Sequence, residues 1–264
     1  MLLDGVTGRA LESAGMCFEL DSEPPIPVIS GAAVSHDDLT LEAVDGNRFA
    51  AFVATPEEPA PVGIVVLPDV RGLYRFYEEL ALRFAERGYA AIAFDYFGRT
   101  AGVAKREGDW DYMAEVAQTT PETVQLDVGA AVAELGRRGC RAIFTVGFCF
   151  GGRHSWLAAA AGHGLAGAVG FYGHPGERNG VLGPTERAGE IAAPILALQA
   201  GDDQNITADL HATFDAALEL AGVPHEVVTY EGAPHSFFDR KQEDYLADSE
   251  DAWARTLAFV ERYS

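Results

Sequence analysis

Three side chains in this sequence have the types and spacing to do chemistry together. Cys149 lies between two glycines in VGFCFGGR, residues 146–153. This is the spacing at which many hydrolases carry a serine on a sharp strand-to-helix turn, here with sulfur in place of oxygen. Glycines two before and two after the cysteine suit a turn that leaves no room for side chains. A thiol lifted to the start of a helix is favoured as thiolate by the helix dipole, and the Phe150 amide can donate to a developing oxyanion. Such a nucleophile needs a base, and the base an orienting carboxylate, in the chain order nucleophile, acid, histidine. AGDDQNI supplies Asp202 or Asp203, and YEGAPHSFF supplies His235, each just after an apolar strand. His154 falls inside the elbow helix, and His36, His163, His174, His211 and His225 have no comparable setting.

The elements that must position these residues follow from short apolar runs alternating with amphipathic stretches. GIVVLP, AAIAFD, AIFTVGF, AGAVGFY, PILALQA and HEVVTYE read as buried strands, and 75–88, 121–138, 151–161, 207–222 and 245–262 as helices. That alternation predicts an α/β fold with a parallel sheet covered on both faces, whose site lies at the carboxyl ends of the strands. LTLEAV and RFAAFVAT flank Asp45-Gly46-Asn47, a hairpin signal that adds an antiparallel pair. Residues 1–37, with SEPPIPVISG, read as an N-terminal arm packed across the body near the cleft, and 38–264 as the main domain. The stretch 100–120 breaks the rhythm and is expected to form a short lid or crossover.

Composition limits the partners. The 264-residue chain carries a net charge of -21, which repels phosphate backbones and anionic membrane surfaces, so neither nucleic acid nor membrane is expected as a partner. No apolar run approaches the roughly 20 residues of a transmembrane helix. MLLDGVTGRALESAG lacks the basic start and apolar stretch of a secretory signal, which predicts a cytoplasmic location. The three cysteines, Cys17, Cys140 and Cys149, are too scattered for a disulfide framework or a zinc site.

GFCFGG, AGDDQNI, YEGAPHSFF and VVLPDVRGLYRFYEELALRFAERGYAAIAFDYFGR, in that family's arrangement and with cysteine at the elbow, resemble the dienelactone hydrolase family over roughly residues 38–262. The resemblance implies an α/β-hydrolase fold, three layers α/β/α around a mostly parallel eight-stranded sheet. It implies Asp203 as the acid, with Asp202 the runner-up. It places an acidic residue at Asp69, where the family usually has glutamate, to hold the resting thiol, and a second oxyanion amide at Val70. It also implies that Arg99 binds a substrate carboxylate, which a guanidinium grips with two parallel hydrogen bonds. The family's second such arginine falls at Asp239, with Arg240 one further on, so a differently shaped acid, a lactone or a neutral ester also fits. Arg71, Tyr74 and Arg153 are candidates to line the same cleft.

The expected reaction is covalent acyl transfer through Cys149, His235 and Asp203 on a small-molecule ester or lactone. It needs no metal or organic cofactor, in a monomer or homodimer. A general carboxylesterase acting on neutral activated esters is the alternative. A thiol-based redox protein is a rival class, but Cys140 at the far end of the intervening strand is about 25 Å away at ~3.3 Å per residue, too far to form a disulfide. A non-catalytic binding module is the other rival, and it has no need of all three groups.

Overall fold

The computed structural model describes residues 21–108 and 110–264. Among the described residues, eight strands and seven α-helices follow one another as β1 (Val34–Glu42), β2 (Arg48–Pro56), β3 (Val62–Leu67), α1 (Arg75–Ala85), β4 (Ala90–Phe94), α2 (Gly98–Ala101), α3 (Tyr112–Val116) and α4 (Pro121–Arg137). Then come β5 (Ala142–Phe148), α5 (Phe150–Ala160), β6 (Gly167–Phe171), β7 (Ile195–Ala200), α6 (Ala208–Ala221), β8 (His225–Tyr230) and α7 (Leu246–Tyr263). The strands form one sheet in the order β1-β2-β4-β3-β5-β6-β7-β8. β2 runs antiparallel to both β1 and β4, and the strands from β4 to β8 are mutually parallel.

The near-continuous apolar composition of β3, β4 and β5 reflects burial on both faces, because side chains alternate with period two. Ile64 and Val66 point to the layer made by α1 and α7, where they meet Leu80, Phe84, Trp253 and Val260. Val65 and Leu67 point the other way, to Val124, Val128 and Leu135 of α4. Further along that second face, Ile195 and Ala197 of β7 pack with Trp156 of α5 and Phe214 of α6. α4 starts on a capping box in which Thr120 and Thr123 bond each other's backbone, with Pro121 in the first turn. No helix among the described residues is long and apolar enough to cross a membrane.

The arm expected over 1–37 is shorter than its sequence suggested. β1 begins at Val34, paired with Pro56, so residues 34–37 belong to the sheet. Residues 1–20, and Cys17 with them, lie outside the described residues. The described part of the arm packs on the body. Ile26 is 1% exposed within the core. Ser22 Oγ donates to Asp239 Oδ2 at 2.6 Å, and the Arg240 amide donates to the Glu23 carbonyl at 3.1 Å. The arm thus runs beside the loop that follows His235.

Candidate active site

β5 ends at Phe148 and α5 begins at Phe150, leaving one residue for the turn. Cys149 takes that turn with φ 55° and ψ -111°, a conformation that side-chain-bearing residues rarely adopt. The flanking glycines are required by contact. A Cβ on Gly147 would lie 2.0 Å from the Gly151 carbonyl oxygen, and one on Gly151 would lie 2.1 Å from that of Leu67. Cys149 is further tied to the next strand by its amide, which donates to the Phe171 carbonyl at 3.0 Å. Gly152, whose Cβ would sit 2.7 Å from the Phe171 oxygen, extends the same packing constraint beyond the motif.

The loop after β7 presents Asp203. Its Oδ1 accepts the amides of Asn205 and Ile206 at 2.8 and 3.1 Å, and its Oδ2 lies 2.5 Å from His235 Nδ1. Asp202 is exposed, with its carboxylate accepting from Gln204 Nε2 at 3.0 Å. Its backbone amide instead donates to the Ala233 carbonyl at 2.9 Å, which couples the acid's loop to the histidine's. Of the two candidate carboxylates, the one paired with His235 is Asp203. The imidazole is also within hydrogen-bonding reach of Cys149. Burial pulls the His235 pKa down, but the negative charges of Cys149 and Asp203 and their hydrogen bonds outweigh it and raise it to about 10. Burial opposes ionisation of Asp203, yet His235 and the two amides hold its carboxyl below the usual range. The Tyr172 ring packs on the imidazole at 4.9 Å, and Ser236, just after it, has φ 67°.

The two expected oxyanion donors lie on either side of the elbow. Phe150 opens α5, so its amide falls among the first N–H groups that a helix leaves unbonded. Val70 follows Asp69 in a turn closed by the Gly72 amide on the Asp69 carbonyl at 3.2 Å. The Asp69 carboxylate, expected to hold the resting thiol, is instead chelated by Arg71. Its Oδ1 accepts the Arg71 amide at 2.8 Å and Nε at 3.2 Å, and its Oδ2 accepts Nη2 at 2.8 Å. The shorter aspartate side chain reaches back to its own turn, and two buried charges need each other as partners.

Arg71 also stacks over the Tyr74 ring at 5.0 Å, and the Tyr74 hydroxyl donates to the Gly108 carbonyl.

Arg99 departs from its expected place. Its guanidinium bonds the Asp45 carboxylate, Asp127 Oδ1 at 2.8 Å and the Thr123 carbonyl at 3.4 Å. It joins α2 to the β1–β2 turn and to α4, because the buried Asp127 needs a counter-charge there. Arg153 is likewise committed to the main chain, donating to the carbonyls of His174, Gly176, Val181 and Leu182.

Sequence reasoning missed the pair that fastens Arg106, after α2. Arg106 Nη2 and Nε donate to the buried Asp95 at 2.6 and 3.1 Å, and the Arg106 amide donates to the Leu73 carbonyl at 2.9 Å. Asp95 also accepts the Leu73 amide at 3.2 Å, which braces the turn carrying Asp69 and Val70. An acidic residue at a strand's carboxyl end in FDYFGR was the available signal for Asp95. Nothing in the spacing marked Arg106.

A mostly parallel sheet sandwiched by helices, with a cysteine on a strained strand-to-helix turn, makes this protein an α/β hydrolase by fold. Its family follows from comparison: the dienelactone hydrolase family profile matches residues 49–264. The chain belongs to that family and is a hydrolase of the ester and lactone class. It is similar to an Escherichia coli K12 protein named "Putative carboxymethylenebutenolidase", 31% identical over 83% of this chain and 84% of that one. It is similar also to a Rhodococcus opacus protein named carboxymethylenebutenolidase, 29% identical over 94% of this chain and 97% of that one. A crystal structure from Klebsiella pneumoniae, described as a "Putative Dienelactone Hydrolase", superposes with a TM-score of 0.77 at 28% identity, covering 88% of this chain and 100% of the other.

Proposed function

We infer that the protein opens a lactone or cleaves a carboxylic ester by acyl transfer to Cys149, in the manner of a dienelactone hydrolase. The observation that carries this reading is the 2.5 Å contact between His235 Nδ1 and Asp203 Oδ2, with the same imidazole bonded to the elbow thiol. His235 Nε2 takes the Cys149 thiol proton, Sγ forms a bond to the carbonyl carbon, and the electron pair of the C=O bond moves to oxygen. The amides of Phe150 and Val70 receive that oxyanion. Collapse breaks the carbon–oxygen ester bond, and His235 Nε2 gives its proton to the departing oxygen. Water then attacks the thioester with His235 taking a proton from it, the Sγ–carbon bond breaks, and the acid leaves. Asp203 holds the imidazole with Nδ1 as donor throughout. A thiolate is itself a good leaving group, so the reaction suits activated esters and enol lactones.

A second reading concerns the substrate's charge. The arginine that the resemblance assigned to a substrate carboxylate is bound to Asp45 and Asp127, Arg71 is paired with Asp69, and Arg240 bonds Glu23. These pairings favour an uncharged acyl part over a free carboxylate.

The test is turnover of a chromogenic short-chain ester by native protein and by Cys149→Ala, with mass analysis of acid-quenched native protein. Loss of turnover in the variant and an acyl adduct on the Cys149 peptide are expected. Native-like turnover in Cys149→Ala would overturn the covalent reading.

A further inference from the structure

Tyr96 lies in the turn after β4, is 1% exposed, and has no part in the chemistry above. Its hydroxyl donates to the Pro68 carbonyl at 2.8 Å. The N–H on the other side of that peptide group belongs to Asp69, and it donates to the Tyr77 hydroxyl at 2.9 Å. One planar peptide is therefore gripped at its oxygen by one phenol and at its nitrogen by another. The next N–H along the chain is that of Val70. The Pro68 carbonyl is also pressed on the elbow, since a Cβ on Gly151 would come 2.3 Å from it.

The ring of Tyr96 does the rest. It meets the Phe150 ring edge-on, with centroids 5.1 Å apart and planes at 77°. Phe150 is backed on its other contact by the His154 ring at 4.3 Å. A single side chain thus touches both segments that carry the expected oxyanion amides, the Pro68 main-chain carbonyl through its hydroxyl and the Phe150 side chain through its ring.

We propose that Tyr96 is a positioning residue for the oxyanion hole, clamping the Pro68–Asp69 peptide plane with Tyr77 so that the Val70 N–H keeps its direction relative to the Phe150 N–H. The clamp rests on the acyl-transfer reading above. Oxyanion donors act only when held where the charge will develop, and small misplacements are costly. Burial, with the charges of Asp69, Asp95 and Cys149, keeps the phenol protonated, so it stays a donor across the working pH range.

The test is Tyr96→Phe, which removes the hydroxyl and keeps the ring against Phe94, Phe97 and Phe150. Two rates are compared with those of native protein. One is kcat and KM on a p-nitrophenyl ester. The other is alkylation of Cys149 by iodoacetamide, which needs the thiolate but no oxyanion hole. The expected result is a kcat about tenfold lower, with KM and the alkylation rate within about twofold. That loss is smaller than the 10²–10³ for removing an oxyanion donor itself. Unchanged kcat in Tyr96→Phe overturns the proposal, as does a parallel loss of alkylation, which would place the effect on the thiol or the fold. Should Tyr96→Phe not fold, Tyr77→Phe cuts the same peptide clamp at its nitrogen and must give the same split between the two rates. Failure of the acyl-transfer reading is distinguishable, because it shows as turnover surviving in Cys149→Ala whatever Tyr96 does.

Discussion

Replacing Asp203 by asparagine isolates what the carboxylate does for His235. Asp203 Oδ1 faces two amide donors at 2.8 and 3.1 Å, and Oδ2 faces His235 Nδ1 at 2.5 Å. In Asp203→Asn the side-chain oxygen must stay with the two amides. An NH₂ group there would meet two N–H donors, at a cost of about 1–3 kcal/mol for each buried group left unpaired. The NH₂ is therefore turned to His235, whose Nδ1 must accept, and the ring proton moves to Nε2, the nitrogen that should take the thiol proton. Mis-setting a tautomer in this way lowers turnover by about 10⁴ in a serine triad, roughly 5.5 kcal/mol of transition-state stabilisation. The carboxylate is also one of the charges that hold His235 protonated near 10, so the thiolate–imidazolium pair loses support as well. Initial rates on a chromogenic ester from about pH 6 to 9, beside thermal unfolding to confirm the fold, measure the effect. Asp202→Asn, which loses only an exposed contact to Gln204, should stay within about tenfold of native. A loss in Asp203→Asn of less than tenfold, or a larger loss in Asp202→Asn, would refute the tautomer argument.

Arg99→Ala should leave the ratio of turnover on acidic and neutral esters unchanged. It should cost about 2 kcal/mol of stability at pH 8, less than a fully buried pair because the guanidinium is partly exposed. Burial already raises Asp127 to about 6 against the relief that Asn47 and Arg99 supply, so the penalty of the unpaired charge should shrink as pH falls to 5 and the carboxyl takes up a proton. Urea unfolding at the two pH values checks this, and a changed acid-to-neutral ratio would return Arg99 to the substrate. His154, fully buried, has its pKa pushed down by desolvation and the nearby Arg153 charge to about 3, against 6.5 when unfolded. The unfolded chain therefore binds the proton first. The stability from a neutral His154 is complete above pH 6.5 and is lost as pH falls towards 3, by about 4–5 kcal/mol in all. His154→Leu should flatten that part of the acid limb in pH-dependent unfolding, and an unaltered slope would remove His154 as its source.

The sequence alone determined the α/β alternation and the place of the elbow, because both are local. Runs such as GIVVLP and AIFTVGF need burial on two faces, and the Gly-x-Cys-x-Gly spacing marks the turn within five residues, with Gly147 making room for the Gly151 carbonyl, although Gly151 itself makes room for the Leu67 carbonyl of β3. It also determined that His235 and an aspartate of Gly201-Asp202-Asp203 stand at strand ends, since position along a parallel strand sets which edge of the sheet a residue reaches. The family resemblance, not the local pattern, favoured Asp203 over Asp202, and the tertiary structure supplies the physical difference between them. Their types are identical, and the difference is which carboxylate the loop turns inward towards His235. Nor does local pattern say with what a charged side chain pairs. Arg99 matched a substrate ligand by register, yet the buried Asp127 of α4, a helix packed against β3 and β4, claims it. Asp69 kept the expected position but closes on Arg71, and Tyr96, an ordinary aromatic at a strand end, meets the Pro68 carbonyl only because β3 and β4 lie side by side. Charged and polar groups are satisfied by whatever partner the fold brings within about 3 Å, and that distance belongs to packing between elements far apart in the chain.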